Sequence, residues 1–487
     1  MNRRTFIHAA GATGLALIGQ RGFTNTARPV IALLKLLEES PRQNLPRELA
    51  RRIRQGLRYE DLLAALSLAA VRNVQPYPDV GFKYHSVMVL RSINSATEHL
   101  TSVDKWLPIV WAADYFKETQ AQERATSGWH LPTRPATSVS TAPAARRALI
   151  AALDNWDRDA ADAAIVSYAQ AARPDEIFAL LFPYGARDLR EIGHKAIVVS
   201  NAHSLIALLG NAYAEPILRS TVAALVNSDA DPNPASHDLQ PDRPWRQNQK
   251  QLREIPRSWR QGRNDPGARI ELHAALYLES EEEAGAVVVE MLRRGVSPDA
   301  IWQVFFDTAA ELYMHQPSIL SLHAQTTANA LHYAYRVCAD EQTQRLVLLQ
   351  CAAFIAMFRQ LTDATRPDFS LESLQRLPLD GPSIDAIDEL FRDVSAGRRL
   401  QAAGKALGYL QSGGDREALI ARARHNCVYD ADEPHDYKFS EAVFDNYSHL
   451  SDSAWRCRFL SANMAHFKSR AEQPGPVVAE MLELLQA

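Results

Sequence analysis

Apolar residues recur at three- and four-residue intervals along most of the chain, and no sustained alternation of β-branched residues breaks that rhythm; the pattern predicts an all-α fold. The clearest stretches are Val30 to Leu37, Leu62 to Val71, Trp106 to Phe116, Ala145 to Leu153, Ile197 to Leu209, Ile217 to Leu225, Ala286 to Leu292, Ile301 to Leu312, Leu346 to Phe358 and Val477 to Leu485. Loops are expected at Val74 to Val80, Thr126 to Thr141, Ala230 to Gly267 and Thr362 to Pro382.

The helical pattern also repeats. Four times it gives a helix, a turn with an acidic residue, a second helix, a connection, and a helix opening on histidine. The turns are Gly56-Leu57-Arg58-Tyr59-Glu60-Asp61, Ala172-Arg173-Pro174-Asp175, Gly295-Val296-Ser297-Pro298-Asp299 and Gly413-Gly414-Asp415. The histidines are His85, His194, His323 and His435, which follow Asp61, Asp175, Asp299 and Asp415 by 24, 19, 24 and 20 residues. This alternation pairs the first unit with the third and the second with the fourth. His85 and His323 are 238 residues apart, and His194 and His435 are 241 apart. A tandem duplication is therefore expected, with a first helical half at 28–228, a second at 268–487, and a connector at 229–267 rich in Pro, Asp and Arg. Trp245-Arg246-Gln247 and Trp259-Arg260-Gln261 of the connector are expected to drape over the surface through cation and ring contacts.

Composition narrows the class. The 487 residues carry a formal charge of -4, which argues against nucleic acid as a partner, because phosphate binding calls for a basic face. Arg3-Arg4 followed by Phe6 and the short apolar run Ala9 to Gly19 read as a twin-arginine export signal within 1–27, giving a periplasmic destination. That run is shorter than the roughly 20 apolar residues a membrane span needs. Cys338, Cys351, Cys427 and Cys457 show no CxxC spacing. An oxidising compartment would permit a Cys427 to Cys457 disulfide, and buried free thiols are the alternative.

Duplicated halves packed about a pseudo-twofold axis would bring the four repeat histidines to one centre, as helical bundles do when they build metal sites. Imidazole is a common ligand for iron, copper and zinc. His203 and His332 each follow a repeat histidine by nine residues, about 900° around the helix, so they face away from that centre. The remaining histidines have no counterpart in the repeat and are expected to be surface or hydrogen-bonding residues. Three residues after each repeat histidine stand Met88, Ile197, Thr326 and Lys438. An ammonium beside a dication is repelled, so Lys438 must face away, be neutral, or be converted by carbon dioxide into an anionic carbamate.

The runs His435-Asp436-Tyr437-Lys438-Phe439-Ser440-Glu441-Ala442 and His323-Ala324-Gln325-Thr326-Thr327-Ala328-Asn329-Ala330-Leu331, with Tyr84-His85 and Gly193-His194-Lys195, resemble the questin oxidase-like family over about Pro46 to Lys468. The resemblance implies an all-helical oxygenase acting with O2 on a small aromatic molecule of phenol, quinone or polyketide type. Family members are described either as cofactor-free Baeyer-Villiger-type oxidases or as non-heme iron dioxygenases with a histidine-rich centre and a carboxylated lysine. Carried over, the Fe(II) ligands would be His85, His194, His323, His435 and N6-carboxylated Lys438. Tyr84, Trp129, Tyr333 and Tyr437 are the aromatic candidates for a substrate wall, with core packing the expected role of each, and no catalytic acid or base is assigned. Three readings follow: an iron oxygenase, a metal-free oxidase using the same histidines as acid-base groups, and a non-enzymatic helical-repeat binding protein.

Overall fold

The helical spacing is realised as α-helices joined by short 3-10 turns throughout the residues that the computed structural model describes: 27–76, 82–133, 141–226, 232–362, 369–379, 384–451, 453–468 and 474–486. Among them no strand forms, and the one isolated bridge pairs Arg263 with Val296. The fold is all-α. The expected export leader, apart from Ala27, lies outside the described residues, as do 77–80, 134–140, 230–231, 363–368 and 380–382 of the expected loops. None of the described helices is long and apolar enough to cross a membrane.

The tight turns form for local reasons. Gly56, Gly295 and Gly413 all take positive φ just past a helix end, a conformation that suits residues without a Cβ. The next helices are then capped by side chains where the chain offers them. Ser297 accepts from the Ala300 amide, and Asp415 accepts from those of Glu417 and Ala418. One contiguous apolar core runs from Val30 to Met481. At its middle, Glu341–Leu361 is buried almost all round from Leu346 to Ala356 and packs against the helix that carries His323.

The connector departs from expectation. Instead of one loop it holds an α-helix, Arg243–Gln251, between two 3-10 turns, and the next helix starts at Pro266. Arg260 does lie over the Trp259 ring, 4.7 Å from its centroid, but Trp245 and Trp259 are buried rather than spread on the surface. The indole N–H of Trp259 reaches Glu341 at 2.6 Å, so the connector is fastened to the central helix. A run poor in apolar residues still forms a helix here because Pro244, Trp245, Asn248 and Gln251 bury one face, while Trp259 beyond its end is buried separately. The four cysteines are free thiols; the disulfide between Cys427 and Cys457 is not formed.

Two histidines outside the repeat set an acid limit on stability. The ring of His466 stacks on Tyr313 with centroids 4.0 Å apart, and burial lowers its pKa to about 3; His203, bonded through Nδ1 to the Tyr333 hydroxyl at 2.8 Å, is lowered to about 4 for the same reason. Both stay neutral in the fold and protonate near 6.5 when unfolded, so their contribution is complete above pH 6.5 and is lost progressively as pH falls toward 4 and 3. The urea midpoint of the metal-free protein should therefore fall between pH 7.5 and pH 4.5. His466→Phe, which keeps the stack without the titrating nitrogen, should flatten that slope; an unchanged slope would contradict the assignment.

Candidate metal centre

Each repeat histidine sits in the first or second turn of its helix. His85 opens His85–Met88, His194 opens His194–Leu209, His435 is the second residue of Pro434–His449, and His323 is the fifth of Ile319–Val337. Helical side chains lean toward the N-terminus, so imidazoles placed there reach past the helix ends. The four rings meet. One nitrogen from each lies within 4.8 Å of those from the others, and all four residues are buried.

The rings form a closed circuit: centroids are 5.2 Å apart from His85 to His194, 4.6 Å from His194 to His323, 5.1 Å from His323 to His435 and 4.5 Å from His435 back to His85. Polar latches between the helices follow the same cyclic order. Asn201 on the His194 helix donates to the Met88 carbonyl below His85. Thr327 donates to the Ile192 carbonyl at 3.3 Å, and Ser200 to the Ala330 carbonyl at 2.8 Å, joining the His194 and His323 helices. Asn329 reaches Asn446 at 2.9 Å and Asp445 at 2.8 Å, joining the His323 and His435 helices. Ser92 and Arg91 close the circuit on Glu441 at 2.6 and 2.5 Å. Buried and paired, these groups fix the register of the four helices, because a slip would leave each donor unsatisfied.

At the join between the His194 and His323 helices the backbones come close. Gly193, the residue before His194, has φ +84°, and a Cβ there would fall inside the Thr327 side chain. Ile192 also has positive φ. Behind this loop lies a buried ion network in which Asp188 takes Lys195 at 2.6 Å and Arg190 at 3.0 Å, and Arg190 also reaches Asp242 of the connector at 3.1 Å. The network holds the His194 entry turn in place.

Hydrogen bonding decides what the ring nitrogens can do. His323 donates from Nδ1 to the Ile319 carbonyl at 2.7 Å, and His435 donates from Nδ1 to Glu433 at 3.2 Å, so the neutral forms of both rings present Nε2 as a bare lone pair. His435 Nε2 is buried with no hydrogen-bond partner among the described residues. His194 Nε2 lies 2.9 Å from His323 Nε2. The ring of His194 also bonds to the Glu191 carbonyl. A neutral ring has one N–H, and here two acceptors call on it. Protonation is not the way out, since burial first and then the Lys438 and His435 charges hold His194 well below the ordinary histidine pKa. His85 and His323 are held down by burial first, with further contributions from Lys438 and the neighbouring imidazoles. A cation bound by the Nε2 lone pairs would satisfy the cluster; in that sense the donor set fits a metal.

Lys438 shares the His435 face. It is buried, its Nζ has no hydrogen-bond partner among the described residues, and its charge acts on all four rings. Burial lowers its pKa to about 7, against the opposing pull of Glu433, so near neutrality a large share of this amine is uncharged. All five expected site residues are thus buried, and the four histidines are brought together. His203 and His332 are directed elsewhere, to Tyr333 and to Trp302 with Phe306. Of the aromatic candidates, Tyr84 bonds Ser220 at 2.7 Å, Tyr333 lies beneath Arg91, and Tyr437 is buried against Trp111.

Glu433 was not visible as a functional residue from repeat counting. It is the N-cap of the His435 helix, and its side chain is half exposed while the ring it holds is buried. An acidic residue two before a ligand and one before a helix-opening proline is the available signal. Carboxylate support of a ligating histidine typically changes metal affinity by about 10–100-fold. Glu433→Gln is therefore expected to weaken metal binding in that range with little change in the fold, as read by competition with a chelator; unchanged affinity would remove Glu433 from the site. Neither a family model, nor a curated protein, nor a solved structure matches the chain.

Proposed function

We propose that the chain is a non-heme iron(II)-dependent oxygenase acting on a small aromatic molecule of phenol, quinone or polyketide type, with iron held by His85, His194, His323, His435 and carboxylated Lys438. The observation that carries this reading is the four imidazole nitrogens within 4.8 Å, with Nε2 of His323 and His435 left bare by their Nδ1 hydrogen bonds. We also read the four histidine units as two pairs produced by tandem duplication, in halves 28–228 and 268–487, and 1–27 as a twin-arginine leader to the periplasm.

Charge favours the carbamate. Four imidazoles are neutral, helix N-termini carry positive partial charge, and Glu433 is half solvated. A dication there would be uncompensated in a buried setting, which is costly. The neutral Lys438 amine can add to carbon dioxide: the N–C bond forms, one C=O π bond becomes the carboxylate, and the nitrogen releases a proton. The product brings one negative charge and an oxygen donor to a centre otherwise made of nitrogen. Iron(II) held by this set supplies one-electron redox chemistry toward dioxygen. The chain's own residues keep the rings neutral by burial, fix their orientation through Ile319, Glu191 and Glu433, and exclude water from the cluster.

Iron-loaded protein should consume dioxygen when offered hydroquinones or hydroxylated anthraquinones, and a strong chelator should stop it. Turnover that survives chelation would overturn the iron reading in favour of a metal-free oxidase.

A further inference from the structure

A small cavity lies between the turn that carries His85, the helix that carries His194, and the helix Ala214–Leu225. Val198, Asn201, Ala202 and Leu205 line it, and they follow His194 by 4, 7, 8 and 11 residues. They therefore occupy the stripe of the helix that bears the imidazole. Four residues advance a helix by about 6 Å, so the wall of the cavity begins one turn beyond His194. Tyr84 and Met88, which flank His85 in the chain, belong to the same wall, and Ile217 and Thr221 close the remaining side. Every lining residue is buried. The space offers about 10 Å³ to the centre of a water-sized guest, room for one small molecule.

The wall gives water little to hold. Its polar side chains are turned to partners of their own: Asn201 donates to the Met88 carbonyl, Thr221 donates to the Ile217 carbonyl at 2.8 Å, and the Tyr84 hydroxyl is bonded to that of Ser220 at 2.7 Å. A buried water needs about two to four polar partners, whereas apolar cavities stay dry and take up apolar guests such as xenon. An aromatic ring is too large for the space. Close packing does not call for the void either, since each void forfeits contacts and a larger side chain at Ala202, the smallest residue of the wall, would fill it.

We propose that this cavity binds dioxygen and supplies it to the centre. The inference rests on the oxygenase reading above. Dioxygen is small and apolar, so it leaves water for such a space readily, and its residence there raises its concentration one turn from His85 and His194. Ala202 sets the size of the site.

The test pairs xenon with oxygen kinetics on the full-length protein. Crystals prepared with and without iron and pressurised with xenon should show a xenon atom between Met88, Ala202 and Ile217, and none there in Ala202→Val, whose added methyl groups take the space. In iron-loaded protein turning over a hydroquinone, Ala202→Val should raise the KM for dioxygen about threefold or more, with iron content, the hydroquinone KM and kcat at saturating dioxygen unchanged. Ile217→Val, which enlarges the space, should keep both the xenon and the native KM for dioxygen, separating loss of the cavity from general repacking. Absence of xenon from this place in the native protein, or its loss in Ala202→Val with the KM for dioxygen unchanged, overturns the inference and leaves the oxygenase reading standing. A protein that binds xenon here but takes up no iron overturns the oxygenase reading, and the assignment of dioxygen falls with it.

Discussion

Gly193→Ala is expected to destabilise the protein by about 2–5 kcal/mol and to abolish stoichiometric metal binding. Two costs add. An L-residue at φ +84° carries roughly 1–2 kcal/mol of backbone strain, and forcing a methyl into a packed contact adds about 1–3 kcal/mol. The second cost falls on the site, because the group in the way is Thr327, one turn after His323. Relief of the overlap must push the His194 and His323 helices apart, and the 2.9 Å approach of their Nε2 atoms is lost with it. Gly210 supplies the control at the other end of the His194 helix. It has φ +90° and ψ 165° with nothing within 4 Å of the added Cβ, so Gly210→Ala should cost backbone strain alone, about 1–3 kcal/mol, and keep the metal. Urea midpoints and metal content of the two variants test this. Equal loss of metal in both would mean that the close approach at Thr327 does not set the site.

Lys438→Met should move two observables in opposite directions. In metal-free protein under carbon dioxide-depleted buffer, it removes a buried amine whose pKa has been driven from 10.5 to about 7. A depressed lysine is a liability below its unfolded pKa: the penalty begins near pH 10.5, grows as pH falls, and is full below about 7. The variant should therefore be more stable than the native chain by about 1–4 kcal/mol at pH 7, with the gain shrinking toward pH 10. Metal affinity should fall by orders of magnitude, since the one described residue placed to supply an anionic ligand within the cluster is gone. A loss of apo stability would show that Lys438 has a structural partner. Retention of metal would show that the carbamate is unnecessary.

The fold class was legible because helical periodicity survives in nearly every segment, and the histidine set was legible because repeat spacing singled out four of 15 histidines. Their convergence depended on packing, which spacing alone does not fix. What spacing could not reveal was short range in space and long range in sequence: the Asn201, Thr327, Asn329 and Glu441 latches join helices separated by 113 to 349 residues. Glu433 and Gly193 were hidden for a different reason, since each acts through one neighbour rather than through a pattern. The connector was read as surface because its composition is polar, yet Trp245 with Pro244, Asn248 and Gln251 seats its helix in the core, and Trp259 is buried beyond it. Tyr437 packs in the core with its ring against Trp111, the role expected of it.

The central claim is that four imidazoles from four helices hold one metal ion. Elemental analysis of protein expressed in iron-replete medium and purified without added metal measures this most directly, with His323→Ala beside it, since His323 is the most deeply buried of the four. Close to one iron per chain is expected in the native protein, and almost none in a folded His323→Ala variant. A native protein free of transition metal, or a variant that binds as much as the native chain, would contradict it.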